Sequence, residues 1–385
     1  MKKSILVAAI GAAVVAAPTF AADKLVLSGE MDFVIANQKT GAENTSAYNE
    51  VLDNGNFKIS GDEDLGGGLG GFFFVETGLA DTGGDSDGSY GENKAYVGLN
   101  TPSAGQFILG HYATASDWVG GSFDMGTFYN NSIKTNAGSK EEGIFWRSPS
   151  WGGFSVGLNY LPKQDFTGTT DEKKDPGYGI GFKYAASNWG IGLGYDELSN
   201  DSKNDTTTAE VTKDGGGAIS SGDTVTVVTT ESSSAVTDPL GESTWTVFDS
   251  WFTFSNYKIA LGLGNYTTKA DGENTKESSF DYAGLGLQGT WGPHQLSVTY
   301  GQRMNYKING EKPDEKPKAT NMSLDYAYEL SARTKIGGGF AQTKDTNNGA
   351  TGTDTVGDVG VENGSKPGAE DKTSRSFGVG VKHTF

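Results

Sequence analysis

The side chains able to do chemistry are charged residues repeated inside short alternating segments. Glu30 and Asp32 share one face of the run 24–36, whose other face carries Leu25, Leu27, Gly29, Met31, Phe33 and Ile35. Lys58 falls on the polar register of 56–61, Glu76 lies with Phe72 and Phe74 on one face of 71–79, and Arg147, Lys183 and Arg303 hold inward registers of later runs. Two carboxylates at this spacing in a dry core would be costly, whereas facing water they cost little. Charges ringed around a narrow aqueous passage select ions, and that is the chemistry this set offers. Bond-making chemistry lacks its parts. The three histidines, His111, His294 and His383, form no recognisable triad with a serine or carboxylate, and no phosphate-binding loop or zinc spacing occurs. The reading is therefore no enzyme and no cofactor. The run 81–88 carries carboxylates that could take Ca²⁺, but it misses the twelve-residue pattern with its closing Glu, so a flexible acidic loop is the expectation.

Strands must position these charges. The chain closes on an alternation with Phe377, Val379, Val381, His383 and Phe385 on one face and Ser376, Gly378, Gly380, Lys382 and Thr384 on the other. A strand ending on the last residue needs a partner on each edge, which closure of a barrel supplies. The full set of runs is 24–36, 56–61, 71–79, 91–100, 105–112, 142–149, 153–161, 177–186, 189–197, 243–254, 257–268, 278–291, 294–306, 320–330, 333–343 and 373–385. Tight turns join them at one rim; at the other stand long loops at 37–55, 80–90, 113–141, 162–176, 198–242, 269–277, 307–319 and 344–372. Short turns alternating with long loops predict an all-β, sixteen-stranded antiparallel transmembrane barrel. Lys58, Arg147, Lys183 and Arg303 must then face the lumen, because a charge on the lipid face at mid-depth costs about 2–4 kcal/mol. Aromatics near strand ends, among them Trp151, Tyr160, Tyr178, Trp189, Trp251, Tyr257 and Trp291, read as girdles at the two headgroup levels. Within 198–242, Thr224 to Thr229 could form a hairpin arm.

The rest of the composition agrees. Lys2 and Lys3 precede a short apolar run ending at Thr19-Phe-Ala21, so 1–21 reads as a signal peptide and 22–385 as the exported barrel. No other stretch approaches twenty apolar residues, so no transmembrane helix is predicted. The absence of cysteine excludes a disulfide framework and thiolate metal sites. Glycine, at 58 of 385 residues, sits inside the alternating segments, where it suits curved strands. Without the leader's two lysines the formal charge falls from −18 to −20, which repels nucleic acid.

A family resemblance rests on particular motifs. Glu63-Asp-Leu-Gly-Gly-Gly-Leu69, continuing through Phe73-Phe-Val-Glu-Thr-Gly78, resembles the EDLGGGL…FQxExG signature of trimeric Gram-negative general porins. Lys94-Ala-Tyr-Val-Gly-Leu99 with Gly105-Gln-Phe-Ile-Leu-Gly110, then Asn131-Ser-Ile133 with Trp146-Arg-Ser-Pro-Ser-Trp-Gly-Gly-Phe154, and the closing Val379-Gly-Val-Lys-His-Thr-Phe385 are similar to further family segments in family order. The resemblance implies a homotrimer of sixteen-stranded barrels in the Gram-negative outer membrane, through which small hydrophilic solutes diffuse. Lipid and lipopolysaccharide would surround it, with divalent ions bridging loop acids to the latter. The C-terminal strand, with Val381, His383 and Phe385, would be read by the barrel-assembly machinery. The third loop, 113–141, would fold inward as a constriction, with Asp117 and Asp124 as its acids and Glu141 and Glu142 at its exit. Arg147 matches a basic wall position of the family, but its other basic positions fall on Glu30, Asn56 and Asn93 here. With Asp117, Asp124, Glu30, Asp32 and Glu76 outweighing Arg147, Lys58, Arg303 and Lys183, mild cation preference is expected. A channel specific for a sugar or an anionic nutrient is the alternative, and it would need an aromatic slide or a dense basic ladder; Phe72, Phe74 and Trp251 are candidates for the former.

Overall fold

The computed structural model describes residues 24–40, 46–79, 93–129, 140–162, 164–165, 173–174, 176–199, 207–213, 225–231, 240–270, 277–307, 310–313, 318–346 and 372–385. In chain order the elements are β1 (Lys24–Thr40), β2 (Ser46–Gly66), β3 (Leu69–Leu79), β4 (Lys94–Thr101), β5 (Gly105–Ala113), α1 (Ala115–Val119), β6 (Lys140–Arg147), β7 (Phe154–Leu161), β8 (Gln164–Asp165), β9 (Lys173–Lys174), β10 (Gly177–Ala185), β11 (Trp189–Ser199), β12 (Thr207–Lys213), β13 (Val225–Glu231), β14 (Leu240–Phe254), β15 (Tyr257–Ala270), β16 (Glu277–Trp291), β17 (His294–Lys307), β18 (Lys318–Ser331), β19 (Thr334–Thr346) and β20 (Lys372–Thr384). Sixteen of them close into a barrel, β1 to β7, then β10, β11 and β14 to β20, with β20 returning to β1. The remaining four form two small ribbons, β8 with β9 and β12 with β13.

Closure happens where the last strand required it. Val381 pairs with Phe33 of β1 on one edge and Ile336 of β19 on the other. Phe385 exchanges backbone hydrogen bonds with Gly29, N to O at 3.0 Å and O from N at 3.1 Å. Its ring lies over Gly29, where an added Cβ would strike it. Closing the ladder gives each strand edge a partner, which hydrocarbon demands because no water is there to bond the backbone.

The two faces of the wall differ as alternation requires. Leu27, Phe33, Val97, Leu109, Leu193, Phe377 and Val379 stand exposed on the outside. Near the short-turn rim Trp151, Trp189, Phe254, Tyr257 and Trp291 also face out, and Tyr160, Tyr178 and Tyr300 do so nearer the other rim. Trp251 departs from the girdle reading. It packs inward against a core of Phe123, Met125 and Ala260.

Several boundaries differ from expectation. Strand β2 extends well beyond 56–61, because it pairs with β1 from Ser46 onward across a bulge at Asp32 and Phe33. The hairpin arm within 198–242 is β12 with β13, in register from Thr207 opposite Glu231 to Lys213 opposite Val225. The leader 1–21 and the acidic run 81–88 lie outside the described residues.

Candidate functional site

The third loop leaves β5 at Ala113 and runs down the inside of the barrel as far as Tyr129, the last of its residues described before Lys140. A segment this irregular carries backbone N–H groups with no ladder to join, and three wall carboxylates accept them. Asp196 on β11 takes the N–H of Ala115 at 3.1 Å and of Ser116 at 2.6 Å, at the start of α1. Asp249 on β14 takes that of Ser122 at 3.0 Å. Asp325 on β18 takes those of Thr127, Phe128 and Tyr129 at 2.8, 2.9 and 3.1 Å. Charge-assisted bonds of this kind are each worth about 1.5–3 kcal/mol, which offsets part of the cost of burying the carboxylates. Cations complete the attachment: Arg147 donates to the carbonyl of Ala113 at 2.7 Å and Lys183 to that of Trp118 at 2.7 Å. Gln288 donates to the carbonyl of Met125 and Gln295 to the hydroxyl of Thr127.

Glycine makes room for this loop. A Cβ at Gly157 or Gly181 would meet Trp118, one at Gly192 would meet Val119, and one at Gly284 or Gly286 would meet Phe123. Further round, Gly337 and Gly380 border Phe128, and Gly339 and Gly378 border Tyr129. The inner wall from β7 round to β20 is thus grooved to seat the loop's large side chains, and glycine there serves packing as well as curvature.

Of the charges expected on the lumen wall, two lie beneath the loop. Arg147 is 4% exposed, and its guanidinium sits between rings, 4.9 Å from the centre of Trp118 and 5.4 Å from that of Tyr112. Lys183 lies 4.7 Å from the Trp118 ring. Arg303 is also buried, with its guanidinium 4.9 Å from Phe280 in a second inward aromatic group that includes Trp245, Tyr266 and Tyr306. These three face inward as period two requires, but packing withdraws Arg147 and Arg303 from the water and leaves Lys183 half-buried. Asp117 on α1 is half-buried and Asp124 is exposed.

Apart from Val34 and Ala36 on β1, which pack against Phe128 and Tyr129, the loop leaves the wall of β1 to β4 uncovered among the described residues, and there the acids meet lysines. Lys382 lies 3.0 Å from Asp32 and 3.2 Å from Glu30, whose other oxygen accepts from Asn56 at 3.0 Å. Glu76 stands between Lys58 and Lys94, 3.9 Å from each. Three acids face three bases, so Lys382 and Lys94, absent from the expected set, cancel the surplus read on this wall. Beside them runs a row of inward rings. Phe74 stacks on Tyr96 with centroids 5.3 Å apart and planes 14° apart, and Tyr96 meets Tyr112 edge-on at 4.8 Å.

Sequence reasoning missed Asp196, Asp249 and Asp325. A signal was present. Each is an acid in the inward register opposite a glycine on a neighbouring strand: Gly179, Gly192 and Gly339 respectively.

The match to known proteins decides the family. The family model for Gram-negative porins matches residues 7–349. The chain belongs to the Gram-negative porin family. An outer membrane porin protein of Bordetella pertussis is 24% identical over 365 residues, covering 88% of this porin and 84% of that one. In solved structures, an anion-selective porin from Comamonas acidovorans superposes with a TM-score of 0.68 at 18% identity, covering 94% of this porin and 99% of its own chain. The trimer form of OmpT from Vibrio cholerae gives 0.62 at 12% identity, covering 94% and 99%. This porin is therefore a channel protein of the outer membrane, with the sixteen-stranded barrel its strands predict.

Proposed function

We propose that the lumen is a water-filled passage for passive diffusion of small hydrophilic solutes and ions, narrowest between the third loop and the wall of β1 to β5, and mildly cation-preferring. One observation carries this reading: six backbone N–H groups of the loop are held on three carboxylates of the inner wall, so the loop is fixed inside the barrel. The charge preference follows from what faces water. The uncovered wall balances Glu30, Asp32 and Glu76 against Lys58, Lys94 and Lys382, while on the loop Asp124 stands exposed and Asp117 half-buried. The Comamonas neighbour is described as anion-selective, but at 18% identity it lends its fold and not its charges. Assembly as a homotrimer within lipid and lipopolysaccharide, after delivery of the C-terminal strand to the barrel-assembly machinery, belongs to the same proposal; the trimer form of the Vibrio neighbour supports the first part.

Single-channel recording in a planar bilayer tests it. Large ohmic steps in groups of three, with a reversal potential of the sign for cations under a KCl gradient, are expected. A reversal potential of the anion sign would discard the charge reading, and no steps from folded barrels would discard the channel reading. The row of rings on the uncovered wall favours a second reading, a channel with some solute specificity.

A further inference from the structure

The uncovered wall holds an apolar patch where a water-filled passage has least use for one. Phe72 and Phe74 on β3, Tyr96 on β4 and Tyr112 on β5 all take the inward register. Phe72, Tyr96 and Tyr112 pack against the buried cluster that contains Ile108, and Phe72 lies across Gly98, where an added Cβ would meet the ring. The rings themselves are only half-buried. Aromatic surface left against water is unfavourable, and a contiguous patch of it marks a place something else covers.

The neighbouring charges say what that is. Glu76 is two residues along from Phe74, and Lys94 two residues before Tyr96, so each sits one pleat repeat from the stacked pair on the same face. Lys58, Glu76 and Lys94 are successive cross-strand partners. Both ammonium groups are 3.9 Å from the carboxylate, beyond hydrogen-bond length, and both side chains remain about 30% exposed. The trio carries a net charge of about +1, and each ammonium has three donors to offer. One pleat repeat is about 7 Å, a span that an aryl ring and its carboxylate bridge once the flexible lysine stem reaches down.

We propose that this patch is a binding station inside the lumen for aromatic carboxylates, with the ring laid on Phe74, Tyr96 and Tyr112 and the carboxylate held by Lys58 and Lys94. Stacking and charge supply separate parts of the selectivity, since neither a small carboxylate nor a neutral arene engages both. A local positive site is compatible with a passage that is slightly negative overall, because Glu30 and Asp32 with the single Lys382 balance it further round the wall. The station deepens the diffusion-channel reading and rests on it.

The test is current block in a planar bilayer by benzoate, beside acetate, benzyl alcohol and cyclohexanecarboxylate. Benzoate should interrupt the current at concentrations about tenfold below the other three. Tyr96→Leu should bring benzoate to the level of cyclohexanecarboxylate, a loss of roughly two- to tenfold, and Phe74→Leu removes a ring independently should the first variant fail to fold. Lys58→Gln with Lys94→Gln should bring it to the level of benzyl alcohol. Benzoate no more potent than acetate in a normally conducting channel overturns the station alone, as does an advantage that survives both the ring and the lysine variants. A folded barrel without KCl conductance overturns the channel reading and the station with it.

Discussion

The barrel has two inner walls built from the same residue types and put to opposite uses. On the side lined by the third loop, Asp196, Asp249, Asp325, Arg147 and Lys183 turn inward and are consumed in holding a peptide segment. On the side of β1 to β4, Glu30, Glu76, Lys58, Lys94 and Lys382 also turn inward but pair across strands and keep contact with water, while Asp32, paired with Lys382, is itself buried. Facing the lumen is thus only half of a pore residue's description. Whether backbone lies on top of it decides whether its charge acts on solutes or on the loop.

The sharpest way to break this contrast is to release the loop. Asp325→Ala leaves three loop N–H groups without their carboxylate, and a loss of about 1–3 kcal/mol for each donor left unsatisfied is expected. The channel should open wider and flicker, which single-channel conductance and current noise report; unchanged noise would mean the carboxylate does not hold the loop. Gly284→Leu attacks the same attachment by space instead of charge. Its side chain would occupy the seat of Phe123, costing about 1–3 kcal/mol and disturbing conductance in the same direction.

A matched pair sharpens the comparison. Arg147→Met should lower thermal stability yet leave the reversal potential nearly unchanged, because its guanidinium is buried under Trp118. Lys382→Met should shift the reversal potential toward stronger cation preference, since it leaves the half-exposed Glu30 without its cation, and it should also lower stability because the buried Asp32 loses the same partner. If both variants shift the reversal potential equally, the two walls are not distinct. The smallest effect is expected at the loop's exposed face. Asp124→Asn should change stability by less than about 0.5 kcal/mol and reduce cation preference slightly, and the reduction should shrink between 0.1 M and 1 M salt as the Debye length falls from about 10 Å to about 3 Å.

How far the sequence could be read follows from the range over which each feature is encoded. Alternation within one strand is local, so the inward aim of Glu30, Lys58, Arg147 and Lys183 was legible, and so were the tight turns near Ser187, Ser255 and Gly292. The terminal alternation ending in Phe385 even implied closure, because an edge strand in hydrocarbon has nowhere else to place its hydrogen bonds. The loop's attachment was not legible in the same way. Asp325 is 196 to 198 residues from the N–H groups it accepts. Nor does a strand's own pattern reveal that Lys382 will stand beside Asp32, since that depends on β20 returning to β1 in one register.

The sequence by itself determined the barrel, the face each side chain takes and the supply of inward acids and bases, because period two and the cost of charge in lipid act residue by residue. Only the tertiary structure decided which of those charges meet water. The third loop lies against one arc of the wall and leaves another uncovered, and that choice is made by carboxylates and glycines gathered from strands far apart in the chain, where no local pattern records the contact.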